Sequence, residues 1–173
     1  MTKLNLGCGE SNMPGYLRVD INPNVNPDVL HDLNVYPYPF AENQFDEVWA
    51  SHIIEHLNEP GKFLLEVYRI TKPGGSIILK TPHYTNVHSF SDFTHKWHLS
   101  TYSFEPGHIE YFSGMKFDRK VTIKLRGLLW KLLGFELFIN NFEWFRRFWE
   151  RHLAFIIRAT DITVVIQSKK PSV

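Results

Sequence analysis

The chain has 173 residues, of which 43% are apolar, and this length supports one hydrophobic core rather than two ordinary domains. Its 19 basic and 18 acidic residues give a formal net charge of +1, which offers no electrostatic footprint for nucleic acid. The single cysteine, Cys8, excludes an intramolecular disulfide framework. We expect a cytoplasmic location, because the sequence shows neither a secretory signal pattern nor an apolar run of the roughly 20 residues that span a membrane.

Five short apolar segments separated by turn-forming residues predict strands in the first half of the chain. They are KLNL (3–6), YLRVDI (16–21), DVLHDL (28–33), FDEVWAS (45–51) and SIILKT (76–81). Helical spacing between the last two predicts a helix over 59–71, which the KPGG turn stops. This order favours a right-handed crossover in a parallel sheet. The six residues between Gly9 and Tyr16 predict a loop where such sheets usually have a helix.

Aromatic residues concentrate in the second half, which contains 11 of the 14 phenylalanines after position 89. Segment 116–125 alternates like a strand, and segment 140–153 predicts an aromatic helix. Segment 154–167 predicts one or two final strands around a turn near Thr160 and Asp161. We expect this half to build the substrate side of the molecule.

The aromatic helix allows two interpretations. One is a core helix whose arginines extend to water, which is favoured because Phe142, Phe145, Phe148 and Trp149 fall on one helical side. The other is an amphipathic surface, over 142–153, that makes peripheral contact with a membrane or with a lipid-linked substrate.

A nucleoside-binding pattern follows the first predicted strand. Gly7 and Gly9 lack the Cβ atoms that would block a ligand, although a tight turn packed on its neighbours would need the same residues. Asp20 ends the second strand, where a carboxylate can accept hydrogen bonds from both hydroxyls of a ribose. Asp32 follows the third strand and can accept a hydrogen bond from the exocyclic amine of an adenine.

Four segments in chain order resemble the successive motifs of class I S-adenosylmethionine (SAM)-dependent methyltransferases, particularly the small type 11 group. They are LNLGCG (4–9), GYLRVDI (15–21), FDEVWASHIIEHL (45–57) and LLEVYRITKPGGSIILKTP (64–82). The resemblance covers residues 3–82. It implies a Rossmann-like α/β fold with a mostly parallel sheet, flanking helices, an antiparallel C-terminal strand, and a missing or very short helix after the first strand.

The resemblance also implies a SAM site. Its predicted residues contact the methionine part, the ribose and the adenine of SAM, or face its sulfonium and the substrate. They are Asn5, Gly7, Cys8, Gly9, Asp20, Ile21, Asp32, Leu33, Ser51 and His52. Two features depart from the family pattern: Asn5 stands where the family often has an acidic residue, and the loop 10–15 is unusually short.

The string His52-Ile53-Ile54-Glu55-His56 matches H-x-x-E-H, a zinc-hydrolase pattern in which both histidines share one helical face. It follows an apolar strand directly, and Pro60 limits any helix to barely two turns. We therefore treat a zinc hydrolase as a remote alternative, and we predict capping and packing roles for Glu55 and His56.

A second histidine cluster occurs within PHYTNVHSFSDFTHKWHLS (82–100). Asp92 can orient His95 as a general base, and we take His83 as a second candidate base. Members of the resembled group often carry Asp-x-x-His after the fifth strand. The alternative is that these polar groups only hold a long loop together. We predict no metal ion here.

The sequence thus predicts one methyltransferase-like domain over 1–173, with a SAM-binding half at 1–82 and a substrate half at 83–173. The acceptor is a small molecule or a glycan, since similar motif placement occurs in bacterial surface-sugar gene products. A hydroxyl acceptor needs a base, whereas an amine or a carboxylate does not. The alternative from another class is a module that binds SAM or a nucleoside without chemistry.

Overall fold

The computed structural model describes residues 1–107 and 115–171, which contain a seven-stranded mixed sheet. The strands are β1 (Lys3–Leu6), β2 (Tyr16–Asp20), β3 (Val29–Leu30), β4 (Phe45–Ser51), β5 (Thr71–Pro82), β6 (Phe117–Leu125) and β7 (Ala159–Ser168). Their order across the sheet is β3-β2-β1-β4-β5-β7-β6. The first five strands are parallel, and β7 runs antiparallel to both β5 and β6. This confirms the predicted Rossmann-like fold.

The strand order reverses between β1 and β4, because the chain first builds outward to β3 and then returns to the other side of β1. In open parallel sheets, ligands bind beside the carboxyl ends of the strands at such a switch point. Residues 7–15 form turns between β1 and β2, as predicted, so no helix covers this part of the crevice.

The helices are α1 (Pro60–Ile70), α2 (Val87–Ser91), α3 (Leu128–Leu132), α4 (Phe135–Asn141) and α5 (Glu143–His152). Three-residue or four-residue 3₁₀ turns occur at Pro23–Val25, Ile54–His56 and Thr101–Phe104. Helix α1 is the predicted crossover between β4 and β5. Its apolar side buries Phe63, Val67 and Ile70 completely against the sheet. Its C-terminus is fixed by Thr71, whose hydroxyl donates to the Val67 carbonyl at 2.7 Å.

Three predicted elements have different bounds in the structure. The third strand shortens from 28–33 to two residues, because Asp28 accepts from the Arg18 amide and Asp32 turns the chain. The predicted turn near 160–161 is wrong, because β7 continues through it, paired with β5 on one side and β6 on the other. Residues 154–158 precede that strand as turns.

The helix predicted over 140–153 is α5, which begins only at Glu143, because Asn140 and Asn141 belong to the end of α4. Asn140 uses its amide to pair with strand β6, accepting from the Ile123 amide at 2.7 Å and donating to the Ile123 carbonyl at 2.9 Å. Glu136 accepts from the Leu125 amide at 2.8 Å. Side chains of α4 therefore form hydrogen bonds with backbone amides and a carbonyl along the outer edge of β6.

Helix α5 also departs from the core-helix interpretation of its sequence. Trp149 is fully buried, but Phe142 and Phe148 are 45% and 47% exposed, so the four aromatic residues do not share one buried side. Arg146 does not extend to water; it is buried and donates to the Val121 carbonyl. Burial lowers the pKa of Arg146.

Helices α3, α4 and α5 and the turns after them expose many large apolar side chains, which we call the apolar face. Its members are Leu128, Leu129, Leu132, Leu133, Leu137, Phe138, Phe142, Trp144, Phe148, Phe155 and Ile156. Within residues 1–107 and 115–171, no helix is long and apolar enough to cross a membrane.

Candidate functional site

Two adjoining cavities open at the carboxyl ends of the parallel strands. The smaller, of about 250 Å³, lies beside the ends of β1, β2 and β3, and we call it the nucleoside cavity. The larger, of about 1020 Å³, lies between the loop after β5, the start of β7 and the end of β6, and we call it the acceptor cavity. His52 and His56 line both cavities, so the two spaces meet at these imidazoles.

The turn after β1 depends on Gly7. Its φ of +64° lies in the left-handed region, and a Cβ there would collide with the Cδ1 and Cγ1 atoms of Ile53. Ile53 itself lines the nucleoside cavity. The first motif glycine is therefore required by packing on a neighbour as well as by its position at the cavity wall.

Asp20 and Asp32 carry the negative charge of the nucleoside cavity. Asp20 accepts from the Gly9 amide at 2.7 Å and from the Asn22 amide at 2.9 Å, so both of its oxygens are held. Asp32 uses one oxygen to accept from the backbone and side chain of Asn34. Each carboxylate is thus fixed by local turns and keeps lone pairs for a ligand.

Six of the predicted cofactor residues line the nucleoside cavity: Gly7, Asp20, Ile21, Asp32, Leu33 and His52. The other four do not. Asn5 is buried within β1, Cys8 is buried with its thiol pKa raised by desolvation, and Gly9 and Ser51 lie beside the cavity wall. Gly9 contributes indirectly, because its amide holds Asp20.

Sequence reasoning missed five lining residues of the nucleoside cavity: His31, Asn34, Ile53, His56 and Leu57. Ile53, His56 and Leu57 belong to the motif quoted for the family resemblance, so their position after β4 was an available signal. His31 and Asn34 flank Asp32, and no pattern in the sequence distinguishes them from loop residues.

His52 lies in a strained position at the junction of the cavities. Its φ of +57° is in the left-handed region, which is uncommon for a residue with a side chain. The backbone is held there by the His52 amide, which donates to the Lys80 carbonyl at 2.7 Å. The ring lies 3.3 Å from Glu55 and 3.7 Å from Asp161.

The zinc-hydrolase pattern at 52–56 is not helical. Residues Ile54–His56 form a single 3₁₀ turn, and His52 precedes it with left-handed backbone. The two histidines therefore do not occupy adjacent turns of one helical face, and that alternative is wrong. Glu55 is 1% exposed, and one of its oxygens accepts from the Thr81 hydroxyl at 3.0 Å.

The loop after β5 brings Asp92 and His95 to the acceptor cavity, together with His88. Asp92 is exposed, and the hydroxyl of Thr94 donates to it at 2.6 Å, which lowers the pKa of its carboxyl. His95 Nδ1 is held by the Ser89 carbonyl at 3.1 Å, whereas Asp92 Oδ2 lies 3.7 Å from Nε2. The ring of His95 is therefore oriented by a backbone carbonyl, not by Asp92 as expected.

His83 does not reach the acceptor cavity. It is fully buried, with Nδ1 accepting from the Thr85 amide at 3.2 Å and Nε2 3.1 Å from the Glu150 carboxylate. Desolvation raises the pKa of Glu150, but hydrogen bonds from His83 and Thr101 outweigh it and the pKa is lowered. An ionised Glu150 makes His83 a donor at Nε2, so both ring nitrogens are occupied in the interior.

The switch-point crevice with its two carboxylates adjoins a larger cavity, which is an arrangement that can hold a nucleoside beside a second molecule. Residues 4–79, less than half of the chain, match the family model described as "Methyltransferase domain". Residues 4–79 are therefore similar to this methyltransferase domain, and the fold of the whole chain is similar to that of SAM-dependent methyltransferases.

Sequence relatives align over short segments. Demethylmenaquinone methyltransferase of Renibacterium salmoninarum is 49% identical over 41 residues, which span 24% of this chain and 17% of that protein. The chain therefore matches only a small part of this relative's length.

Solved structures align over nearly the whole chain. A SAM-dependent methyltransferase from Archaeoglobus fulgidus superposes with a TM-score of 0.68 at 22% identity, covering 96% of this chain and 86% of that one. Phosphoethanolamine N-methyltransferase 2 of Haemonchus contortus, solved with phosphomonomethylethanolamine and S-adenosylhomocysteine, gives 0.60 at 18% identity, covering 99% and 49%. The same protein has also been solved in complex with SAM.

Proposed function

We propose that this chain is an enzyme that transfers a methyl group from SAM to a small-molecule or glycan-type acceptor in the cytoplasm. The observation that carries the proposal is the meeting of two cavities at His52 and His56. One cavity has the carboxylates that a ribose and an adenine need, and the other has room for a second molecule. Methyl transfer requires this geometry, because the acceptor must approach the methyl group from the side opposite to the departing sulfur.

The residues of the nucleoside cavity fit SAM. Asp20 would accept from the ribose hydroxyls, since its carboxylate is held in place by two backbone amides. Asp32 would accept from the adenine amine with the oxygen that Asn34 leaves free. When bound, SAM supplies a methyl group already activated by the sulfonium charge, so the protein's task is to position both partners and to exclude water.

His95 is the residue that we assign to the acceptor. Its Nδ1 must donate to the Ser89 carbonyl, so Nε2 carries a lone pair at the wall of the acceptor cavity. This nitrogen would accept the proton of an acceptor hydroxyl. Asp92 would steady a partial positive charge on the ring from 3.7 Å. We assign no acceptor contact to His83, because its nitrogens are used internally.

Calorimetry with SAM and S-adenosylhomocysteine tests the cofactor assignment. We expect binding by the wild-type protein and its loss in Asp20→Ala. The matched control is Asp118→Ala, which removes an exposed carboxylate on β6 far from the cavities. A folded wild-type protein that gives no binding heat at millimolar ligand would contradict the proposal. Binding without turnover of any acceptor would instead support a non-catalytic module.

The acceptor class follows from the charge and apolarity around the larger cavity. Lys124 and Arg126 line it together with Asp92 and Asp161, and Arg126 lies two residues before α3 and its exposed leucines. The relative from Renibacterium is named for a demethylmenaquinone acceptor. These features support an acceptor that joins a hydroxyl-rich head, which both charge signs can hydrogen-bond, to an apolar part, such as a lipid-linked glycan.

The apolar face would then rest on an anionic lipid surface, in peripheral contact. Segment 124–158 contains seven basic and three acidic residues, in a chain of net charge +1. Arg146 and Glu150 are both buried, and Glu136 is hydrogen-bonded to the backbone. Six exposed basic residues and one exposed acidic residue, Glu143, are left in this segment. Basic residues flanking exposed leucines and tryptophan favour contact with acidic headgroups.

Vesicle sedimentation tests the membrane contact. We expect binding to vesicles of phosphatidylglycerol but not of phosphatidylcholine, and its loss when Leu129 and Leu132 are both changed to serine. The control is Leu65→Ser, an exposed leucine on α1. Equal sedimentation of both variants would contradict the contact. So would a concentration-dependent dimer in light scattering that the double variant abolishes, because the face would then join two copies of the chain.

A further inference from the structure

We infer that Glu55, His56 and His95 form a binding site for one divalent transition-metal ion at the wall of the acceptor cavity. Each of the three residues offers one ligand atom, and these atoms all lie within 4.8 Å of one another. Two of the residues come from the turn after β4 and the third from the loop after β5. The sequence motifs H-x-x-E-H and Asp-x-x-His, which are 40 positions apart, thus converge on one cluster.

The buried carboxylate of Glu55 points to a missing ligand. Its Oε2 accepts from the Thr81 hydroxyl at 3.0 Å, but Oε1 is buried and has no hydrogen-bond partner. Nδ1 of His52 lies 3.3 Å from Oε1, but the two atoms do not form a hydrogen bond. Burying a carboxyl oxygen without a hydrogen-bond partner is costly, so such an oxygen is usually paired or bound to a metal.

Hydrogen bonds fix His56 in the tautomer that binds metals. The Thr94 hydroxyl donates its proton to Asp92 at 2.6 Å, so it can only accept from His56 Nδ1, 2.9 Å away. Nδ1 must therefore carry the hydrogen, and Nε2 keeps its lone pair. A metal-binding histidine almost always donates its other nitrogen in this way.

His95 is fixed in the same tautomer by a different partner. Its Nδ1 lies 3.1 Å from the Ser89 carbonyl, which can only accept, so Nε2 again carries the lone pair. The rings of His56 and His95 lie with centroids 4.6 Å apart at an angle of 66°. Asp92 Oδ2, 3.7 Å from His95 Nε2, adds negative charge beside the cluster.

The backbone holds the two loops together independently of any ion. The amides of Lys96 and Trp97 both donate to the Glu55 carbonyl, at 2.8 and 3.2 Å, and the Trp97 indole donates to the Leu57 carbonyl at 2.8 Å. The ligands therefore sit on a preformed frame. Two imidazoles and one carboxylate suit zinc and iron-group divalent ions, and they leave positions open towards the acceptor cavity.

The ligand atoms are close enough to bind one ion after small side-chain rotations. Zinc bonds to nitrogen and oxygen are about 2.0–2.2 Å long, which places tetrahedral ligands about 3.4 Å apart. In the part that rests on the proposed function, the ion and the His95 base are alternatives. With an ion bound, the Nε2 lone pair of His95 is a metal ligand, and the ion would activate an acceptor hydroxyl in its place by favouring release of the hydroxyl proton to water.

Metal analysis of tag-free protein tests the site without any activity assay. The metal-free protein is equilibrated with Zn²⁺ alone, dialysed and analysed for bound zinc, and in parallel titrated with Co²⁺ while visible absorption is recorded. We expect one ion per chain, and a Co²⁺ spectrum of a four- or five-coordinate site. His56→Ala and His95→Ala should lose both, whereas His88→Ala, in the same cavity but outside the cluster, should retain both.

Two further variants distinguish loss of the metal site from misfolding. Glu55→Gln keeps the side-chain volume and the acceptor for Thr81, and should lose the ion while remaining folded by circular dichroism. Thr94→Val removes only the hydrogen bond that orients His56, and should weaken zinc binding about 10- to 100-fold.

Substoichiometric zinc in the wild-type protein, or equal zinc in the ligand variants and His88→Ala, would overturn the inference. SAM calorimetry on the same metal-free protein separates the two proposals. A protein that binds SAM but takes up no zinc would contradict only the metal site. A protein that takes up zinc but binds no SAM would contradict only the methyltransferase assignment.

Discussion

Replacing Gly7 with alanine tests whether the glycine turn shapes the nucleoside cavity. A side chain at φ +64° costs about 1–2 kcal/mol. The new Cβ would also meet Ile53, and overpacking of this kind adds about 1–3 kcal/mol. Because the colliding atoms are the end of a flexible side chain, Ile53 can turn aside, and the cavity that it lines offers it space. We therefore expect a loss of about 2–5 kcal/mol in unfolding free energy and weaker binding of S-adenosylhomocysteine.

The matched control is Gly15→Ala. Gly15 has a φ of +80°, but a Cβ there would meet nothing within 4 Å. This variant should lose only the conformational cost of about 1–2 kcal/mol and keep its affinity for the cofactor product. Urea unfolding gives the free energies and calorimetry the affinities. In Gly7→Ala/Ile53→Ala the collision is absent, so the two changes should couple favourably. Equal losses in Gly7→Ala and Gly15→Ala would refute the reasoning.

Three other changes probe the structure around the cavities. Glu150→Gln should lower the unfolding free energy by about 1–3 kcal/mol at pH 7, because it weakens a buried hydrogen-bond network. Folding lowers the pKa of Glu150, so the stability that its carboxylate contributes is present above the usual carboxyl pKa of about 4.3 and is lost as the pH falls. Urea unfolding should therefore show a smaller difference in unfolding free energy between the two proteins at pH 3.5 than at pH 7. A gap that stays constant would be inconsistent with this assignment. Trp149→Ala should cost about 3–5 kcal/mol by thermal unfolding, because a fully buried ring that donates to the Ile157 carbonyl is removed. Asn140→Ala should cost about 1–3 kcal/mol and Asn141→Ala much less, because only Asn140 bonds to β6; equal costs would be evidence against that role.

The parallel half of the sheet could be predicted from the sequence because its strands are buried and continuous. FDEVWAS and KLNL were predicted with the bounds that the structure has, and each is flanked by turn-forming residues. The third strand was predicted too long, since Asp28 and Asp32 look like strand ends but are bound in turns. The spacing of apolar residues does not show where a polar side chain forms a local hydrogen bond that ends the strand.

The second half was harder to predict, because its elements depend on distant partners. Thr160 and Asp161 have the composition of a turn, yet Asp161 pairs with Pro82 of β5 and Lys124 of β6, so β7 continues through them with only a register shift at Thr160. Asn140 resembles a residue within a long helix, but its amide is committed to a strand 17 positions earlier. Helices α3 and α4 were not predicted, since their exposed leucines do not follow the amphipathic pattern of a core helix.

The nucleoside half of the candidate site was predictable, and the acceptor half was predictable only in its residue types. Asp20 and Asp32 end or follow strands, so their direction follows from the fold. The histidines occur in loops whose mutual approach no local pattern encodes. The sequence marked His83 and His95 alike, and only tertiary structure separates a buried donor to Glu150 from a ring at the cavity wall.

The side chains of Asn140 and Glu136 along β6 bear on how the protein behaves at high concentration. An outermost strand with free amides and carbonyls recruits strands from other molecules and so promotes aggregation. Here Ile123 and Leu125 already have intramolecular partners, so an incoming strand would have to displace α4 before it could pair. The loss of one amide at position 140 should therefore reveal itself as fibril or aggregate growth at temperatures where the fold itself is still intact.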